Sequence, residues 1–139
     1  MAEYLVDTNH LSPLITVNHP LRTRLLRQAH FGDVFAIAVP ALTETLYGIQ
    51  QLPRARQNIH EWGKLSVIFN YHSIERRDAE HAAALQIGLQ RRGWQLGVVD
   101  ALIASIALRH NLTLLTTDND FGEITGLKVE NWIASNMGI

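Results

Sequence analysis

Short, unbroken apolar runs alternate along this chain with longer stretches in which apolar residues recur at helical spacing. The first pattern belongs to strands covered on both faces, the second to helices with one buried side. Tyr4, Leu5 and Val6 form the first run and predict a strand over residues 3–7. Asp7-Thr8-Asn9 then offers carboxylate, hydroxyl and amide groups that can cap a short helix reaching about Leu14. Pro20 is placed to open a helix bearing Leu21, Leu25, Leu26 and Ala29, which Gly32 and Asp33 end. Residues 34–39 read as a second strand, broken by Pro40.

Residues 41–50 predict a helix with Leu42, Leu46 and Ile49 on one stripe; Glu44 and Gly48 share a different side, so Glu44 need not be buried among the leucines. A helix over residues 55–69 leads to a strand at 71–74, and a helix over 78–90 is ended by Gly93. Residues 94–97 form a loop. The helix over 98–110 is apolar nearly all round, through Leu102, Ile103, Ile106, Ala107 and Leu108, and such a helix belongs in the interior. The next strand ends near Thr117, Asp118-Asn119-Asp120 makes a turn, and residues 127–129 add a last short strand. Strands alternating with helices imply an α/β fold: a three-layer α/β/α arrangement around a central parallel sheet of four to five strands, with right-handed crossovers.

A chain of 139 residues is expected to form one domain over 1–139, and 47% apolar against 18% charged residues is a globular balance. The lack of cysteine removes disulfides, thiolate metal sites and thiol nucleophiles from consideration. No basic region followed by a long apolar run opens the chain, and no apolar stretch is long enough for a membrane span, so no membrane association and a cytoplasmic setting are expected. A net charge of −1 gives no overall basic field. Basic charge is instead grouped as Arg22, Arg24 and Arg27, then Arg54 and Arg56, Arg76 and Arg77, and Arg91 and Arg92. Each group fits a solvated helix face; together they also suit framing an acidic pocket.

That pocket is the candidate chemistry. Asp7 and Asp118 stand at the carboxyl ends of predicted strands, where open parallel sheets bind ligands. Asp100 lies in the first turn of the apolar helix, where the helix dipole favours a carboxylate. With Glu44 they make a set of oxygen-only ligands, which suits hard Mg²⁺ or Mn²⁺ rather than Zn²⁺. One or two such ions bridged by carboxylates activate water and stabilise charge on a phosphate, and Asp7 and Asp100 are expected in direct contact. Thr8 or Thr116 is placed to orient a water or phosphate. Taken singly, Asp7 and Asp100 also fit helix capping, Asp118 and Asp120 an Asx turn, and Glu44 a surface ion pair.

Four segments in order make the reading more specific: Leu5-Val6-Asp7-Thr8-Asn9; the Glu44 helix after Pro40; Val99-Asp100-Ala101-Leu102-Ile103-Ala104; and Leu115-Thr116-Thr117-Asp118-Asn119-Asp120-Phe121. Together they resemble the PIN-domain family, in particular its VapC branch, the ribonuclease toxins of bacterial and archaeal toxin–antitoxin pairs. The resemblance runs from Tyr4 to about Trp132, and the ending Gly126-Leu127-Lys128-Val129-Glu130-Asn131-Trp132 is similar too. It implies a metal-dependent endoribonuclease, an RNA substrate, a cognate antitoxin protein and a homodimer. It assigns Asp7, Glu44, Asp100 and Asp118 as the four acids, with Thr116 as the hydroxyl beside them. Asp120 competes with Asp118 for the fourth role; Asp118, nearest the strand end, is favoured.

The remaining features are read as structural. None of the seven histidines falls in a His-Glu-x-x-His pattern, so surface or capped positions are expected, with His10 the one able to reach the pocket. Trp62, Trp94 and Trp132 are expected in packing, although Trp94 sits in a loop flanked by glycines that leaves room for exposure. A receiver-like phosphoacceptor module is the other class, with Lys128 as its lysine, but no aspartate follows the strand at 71–74 where the phosphoacceptor belongs. A haloacid-dehalogenase-like phosphatase wants a second aspartate where Asn9 stands. A noncatalytic binding partner that keeps the acids for structure is the third reading.

Overall fold

The computed structural model describes residues 1–133, so the last six positions of the expected 1–139 unit lie outside the described residues. Five strands, β1 (Glu3–Val6), β2 (Val34–Ala38), β3 (Asn70–His72), β4 (Thr113–Leu115) and β5 (Val129–Glu130), form one sheet in the order β3-β2-β1-β4-β5. Every pairing is parallel. Tyr4, Leu5 and Val6 are all buried, as are Phe35, Ala36, Ile37 and Ala38, so the inner strands have no solvent face and carry no alternation. The outer strand β3 keeps Asn70 and Tyr71 exposed.

The helices are α1 (Thr8–Leu11), α2 (Pro20–His30), α3 (Val39–Gln51), α4 (Ala55–Leu65), α5 (Arg76–Arg91) and α6 (Val98–His110). They flank the sheet; α5 packs along α6, and α3 packs on α4. Among the described residues no helix is long and apolar enough to cross a membrane.

The expected architecture holds, with local shifts. Pro40 does not merely break β2: it occupies the first turn of α3, where its missing N–H leaves no helical bond unmade. The stripe that α3 buries is Ala41, Thr45 and Ile49, while Leu42 and Leu46 are only half-buried. The buried Thr45 hydroxyl is satisfied within the helix by the Ala41 carbonyl at 2.8 Å. The helix expected over 55–69 is α at Ala55–Leu65 and tightens to a 3-10 turn at Ser66–Ile68. The third and fifth strands lie at 70–72 and 129–130 rather than 71–74 and 127–129. Asp78 does not open α5 but sits inside it, buried, where Arg109 Nε and Nη2 meet its two oxygens at 2.7 and 2.9 Å.

What positions the site is the reversal of strand order. The chain steps outward from β1 to β2 and β3, then returns to the other side of β1 with β4 and β5. In parallel α/β sheets the crevice at such a switch lies beyond the carboxyl ends of the two strands that flank it. Here those strands are β1 and β4, and the residues that follow them begin with Asp7 and Thr116.

Candidate active site

Asp7 leaves β1 and becomes the N-cap of α1, its Oδ1 accepting from the Thr8 N–H at 2.8 Å while its own N–H extends the β4 pairing to the Leu115 carbonyl at 3.0 Å. The capping role read from the sequence is therefore real, and it engages Oδ1. Its second oxygen, Oδ2, faces Thr116, whose hydroxyl donates to it at 2.8 Å, and Asn9, whose amide donates at 3.2 Å. The Thr116 oxygen in turn accepts from Asn9 Nδ2 and from the Asp118 N–H, both at 3.1 Å. One donor and two acceptor sites exhaust what a hydroxyl can do, so buried Thr116 is fully committed to holding the two acidic segments together.

Asn9 is a residue that sequence reasoning passed over. Its Oδ1 accepts from the Thr117 N–H at 3.1 Å and lies 2.8 Å from His10 Nδ1. The His10 tautomer follows from the other side of the ring, where Nε2 accepts from the Trp132 N–H at 3.1 Å; Nδ1 therefore carries the proton and donates to Asn9. His10 is fully buried, against the expectation of a surface or capped histidine, and burial lowers its pKa to about 4. It does not touch the acids; it fixes Asn9, which does. The only signal in the sequence was adjacency to Asp7, because the partner that sets the ring lies 122 positions away.

Asp100 stands in the first turn of α6, half-buried, after the N-cap Gly97. Its pKa is pushed up to about 6, first by burial and then by the charges of Asp7, Asp118, Glu44 and Asp120, in that order. Asp7 is raised as well, chiefly by burial, although the Thr116 and Thr8 hydrogen bonds oppose the rise. Glu44 is exposed on α3, and its Oε1 accepts the Thr8 hydroxyl at 3.2 Å. Asp118 caps the 3-10 turn Asn119–Glu123, its Oδ1 accepting from the Asp120 N–H at 2.9 Å. The Asx turn is thus real, and it leaves Oδ2 of Asp118 outside that turn bond.

The structure brings Asp7, Thr8, Thr116 and Asp118 into one hydrogen-bonded group with Glu44 attached through Thr8, and it sets Asp100 in the field of all the acids. Asp120 acts on Asp100 more weakly than Asp118 does. Even so, among the described residues no three acidic or histidine side chains stand close enough to form a ready-made metal site. The two facts describe one arrangement: carboxylates within electrostatic reach but not in chelating contact, as uncompensated like charges require. The donor chemistry fits a hard divalent cation of the kind that one or two carboxylates hold while water completes its shell.

The arginine groups are largely occupied elsewhere. Arg22 pairs with Glu61 at 3.0 Å, Arg92 with Glu123 at 3.0 Å, and the Arg24 guanidinium lies 3.8 Å over the Trp132 ring. Trp62 and Trp132 are buried as expected, but Trp94 is 41% exposed.

Comparison with known proteins gives a consistent picture. The PIN domain family matches residues 4–127. A ribonuclease from Rickettsia felis, VapC2, is 29% identical over 133 residues, which is 93% of this chain and 97% of that protein. Among solved structures, the VapBC2 complex of Rickettsia felis bound to a DNA fragment from its promoter is similar at a TM-score of 0.82 and 25% identity, covering 94% of this chain and 98% of that one. A toxin–antitoxin complex from Klebsiella pneumoniae is similar at a TM-score of 0.68 and 27% identity, covering 92% of this chain and 96% of that one.

Proposed function

The chain belongs to the PIN-domain family, and from that membership we propose that it is a VapC-type toxin, an endoribonuclease that uses Mg²⁺ or Mn²⁺ and is held in check by a cognate antitoxin. The observation that carries the reading is the gathering of acids beyond the ends of β1 and β4: Asp7 and Asp118 are joined through Thr116, Glu44 is attached through Thr8, and Asp100, pushed up to about 6 by burial and then by these charges, stands in their field. A fold that retains this concentration of negative charge at the switch point of its sheet is organised for a cation, not for its own stability.

Asp7, Asp100, Glu44 and Asp118 would hold the metal, which supplies an activated water and a positive centre for the scissile phosphate. The chain's own contributions follow from the geometry. The Thr116 hydroxyl and the Asn9 amide hold Asp7 Oδ2 in place, so its orientation is set before any ligand arrives. Glu44, exposed and tethered only through Thr8, is the acid free to adjust. Asp100 must lose its proton to act as a ligand, and its helix N-terminus favours the charged form. Asp118 is preferred to Asp120 as the fourth acid because its backbone is fastened to Thr116.

The resemblance to VapBC assemblies supports an antitoxin partner, and we extend the proposal to a homodimer acting on RNA in the cytoplasm. A receiver-like reading loses its footing: β3, the middle strand by sequence, is an outer strand that leads to Ser73 and Ile74 rather than to an aspartate. The deciding experiment measures RNA cleavage by the purified protein with Mg²⁺, with Mn²⁺, with Zn²⁺ and after EDTA. Cleavage with the first two alone is expected; full cleavage by demetallated protein would overturn the metal-dependent reading.

A further inference from the structure

A cleft of about 440 Å³ opens beside the α5–α6 connection, lined by Gln86, Gln90, Gly93, Trp94, Gln95 and Leu96. Its volume is that of a small-molecule site, and its walls are amides around one aromatic ring. We propose that this cleft binds a nucleobase of the RNA strand, a reading that rests on the ribonuclease function above and specifies where the substrate is gripped.

Three features argue for a base. The first is how Trp94 is held. Gly93, at φ +84°, ends α5 in a left-handed turn in which the Gly93 N–H bonds to the Gln90 carbonyl at 3.0 Å and the Trp94 N–H to the Leu89 carbonyl at 2.9 Å. This is the two-bond Schellman closure of a helix, so the tryptophan backbone is fixed while the residue stays 41% exposed. A large surface aromatic has few rotatable bonds, and with its backbone already fixed it loses less entropy when a flat partner stacks on it.

The second is the amide pattern. Gln86 and Gln90 share one face of α5 by their four-residue spacing. Gln86 Nε2 donates to the Leu96 carbonyl at 3.0 Å, and since a carbonyl only accepts, the orientation of that amide is settled. Its Oε1 acceptor and second N–H remain for a guest with both donors and acceptors on its edge, as every base has. Buried Leu96 adds an apolar surface.

The third is position. Trp94 precedes Gly97, the N-cap of α6, by three residues, and Asp100 follows Gly97 by three more. Extended chain and then helix limit that separation to roughly 16 Å. Arg92, beside the cleft, also bonds to the Glu123 carbonyl and carboxylate at 3.0 Å, fastening this connection to the turn that Asp118 caps. A strand whose phosphate lies among the acids therefore has a base within reach of the cleft.

The test uses the Asp100→Asn protein, in which cleavage should be abolished, and acrylamide quenching of tryptophan fluorescence. Trp62 and Trp132 are 5% and 2% exposed, so quenching reports Trp94. The probes are a mixed-sequence oligoribonucleotide of about 12 nucleotides, within the usual range of single-strand site sizes, and an abasic ribose-phosphate oligomer of equal length. Protection by the first and not the second is expected, with Trp94→Ala weakening binding of the base-bearing probe about fivefold or more and Trp94→Phe restoring most of it. Equal protection by both probes, or unchanged affinity in Trp94→Ala, would overturn the base site while leaving cleavage by the unmodified protein as separate support for the nuclease. Loss of self-association in Trp94→Ala, seen by sedimentation, would likewise overturn it by assigning the cleft to a second copy. Protection by base-bearing RNA with no cleavage of any RNA by the unmodified protein would uphold the site and reject the nuclease.

Discussion

The hydroxyl of Thr116 donates to Asp7 Oδ2 at 2.8 Å across the junction of β4 and β1, joining residues 109 positions apart in the sequence. Because the same oxygen accepts from Asn9 and from the Asp118 backbone, Thr116→Val breaks three bonds in a buried place. The expected cost is about 1–3 kcal/mol of stability, read by chemical denaturation. RNA cleavage should fall more than stability does, since Asp7 loses its fixed orientation. Thr116→Ser keeps the hydroxyl and should recover most of both. A valine variant as active as the parent would remove Thr116 from the machinery.

Asp100→Asn should separate function from stability in opposite directions. At neutral pH the carboxylate is charged while half-buried and among like charges, at a free-energy cost to the metal-free fold that its raised pKa of about 6 records. An amide of the same shape removes that cost, so the metal-free variant should be more stable by about 1 kcal/mol after allowance for solvent screening, or a few degrees in Tm. Cleavage should be abolished, as it should in Asp7→Asn. Thermal melts without metal and cleavage assays with Mg²⁺ check the two halves independently.

Acid titration follows with a definite sign. For Asp100 the folded pKa, about 6, lies above the ordinary 3.8, so the native state binds more protons between these values and this group's contribution to stability falls as pH rises through the window. For His10 the folded pKa, about 4, lies below the ordinary 6.5, so the unfolded state binds more protons and stability falls as pH drops. The two contributions oppose each other between about pH 4 and 6. Removing one exposes the other: Asp100→Asn should lose stability on acidification more steeply than the parent, measured by denaturation at successive pH values. Activity at limiting metal should rise through about pH 6 as Asp100 ionises, and saturating metal should move that midpoint lower.

These contributions divide by how far apart in the chain their causes lie. The placement of Asp7 and Asp118 beyond strand ends was legible because strand ends are written locally, and that of Asp100 in the first turn of α6 because a carboxylate in an otherwise apolar helix is conspicuous. The order of strands at the switch point is a tertiary fact, yet the βα alternation and the family motifs anticipated the sheet. His10 was expected within reach of the pocket, but its burial and its hold on Asn9 were not legible, since Trp132 sets the ring and the ring sets the amide. The stripe of α3 was legible at Ile49 but not at Ala41 and Thr45, because leucine is the usual marker of a buried face and here Leu42 and Leu46 pack only on its margin. Exposure of Trp94 was legible in its glycine-flanked loop, whereas the Schellman turn that fixes its backbone rests on bonds that only the fold shows.

The Asp78–Arg109 pair is a stability element remote from the acids. Burial alone would raise Asp78, but the Arg109 hydrogen bonds, the Glu75 N–H and the charges of Arg109 and Arg77 together outweigh it and hold the carboxyl below its ordinary value. Arg109→Ala leaves a carboxylate that is 1% exposed without its cation, which should cost about 3–5 kcal/mol. Arg109→Ala combined with Asp78→Leu should cost much less, because no charge is then stranded. A double-mutant cycle in denaturant measures the difference, and additive losses would deny the coupling.

The antitoxin should act on the same electrostatics that raise Asp100. A basic side chain entering between Asp7, Asp100, Glu44 and Asp118 pairs with carboxylates that already lack compensation, so it gains more there than at an ordinary surface and excludes the metal that would take its place. Expression of the chain alone should arrest growth, and co-expression with the cognate antitoxin should relieve the arrest. An antitoxin with that arginine or lysine neutralised should relieve it less, and excess Mg²⁺ should weaken its inhibition of the purified enzyme more than that of the intact antitoxin. Asp100→Asn should bind the intact antitoxin more weakly than the parent while causing no arrest. Were antitoxin binding indifferent both to Asp100→Asn and to loss of the basic residue, inhibition would have to be steric alone, and the acidic mouth would answer only to metal and RNA.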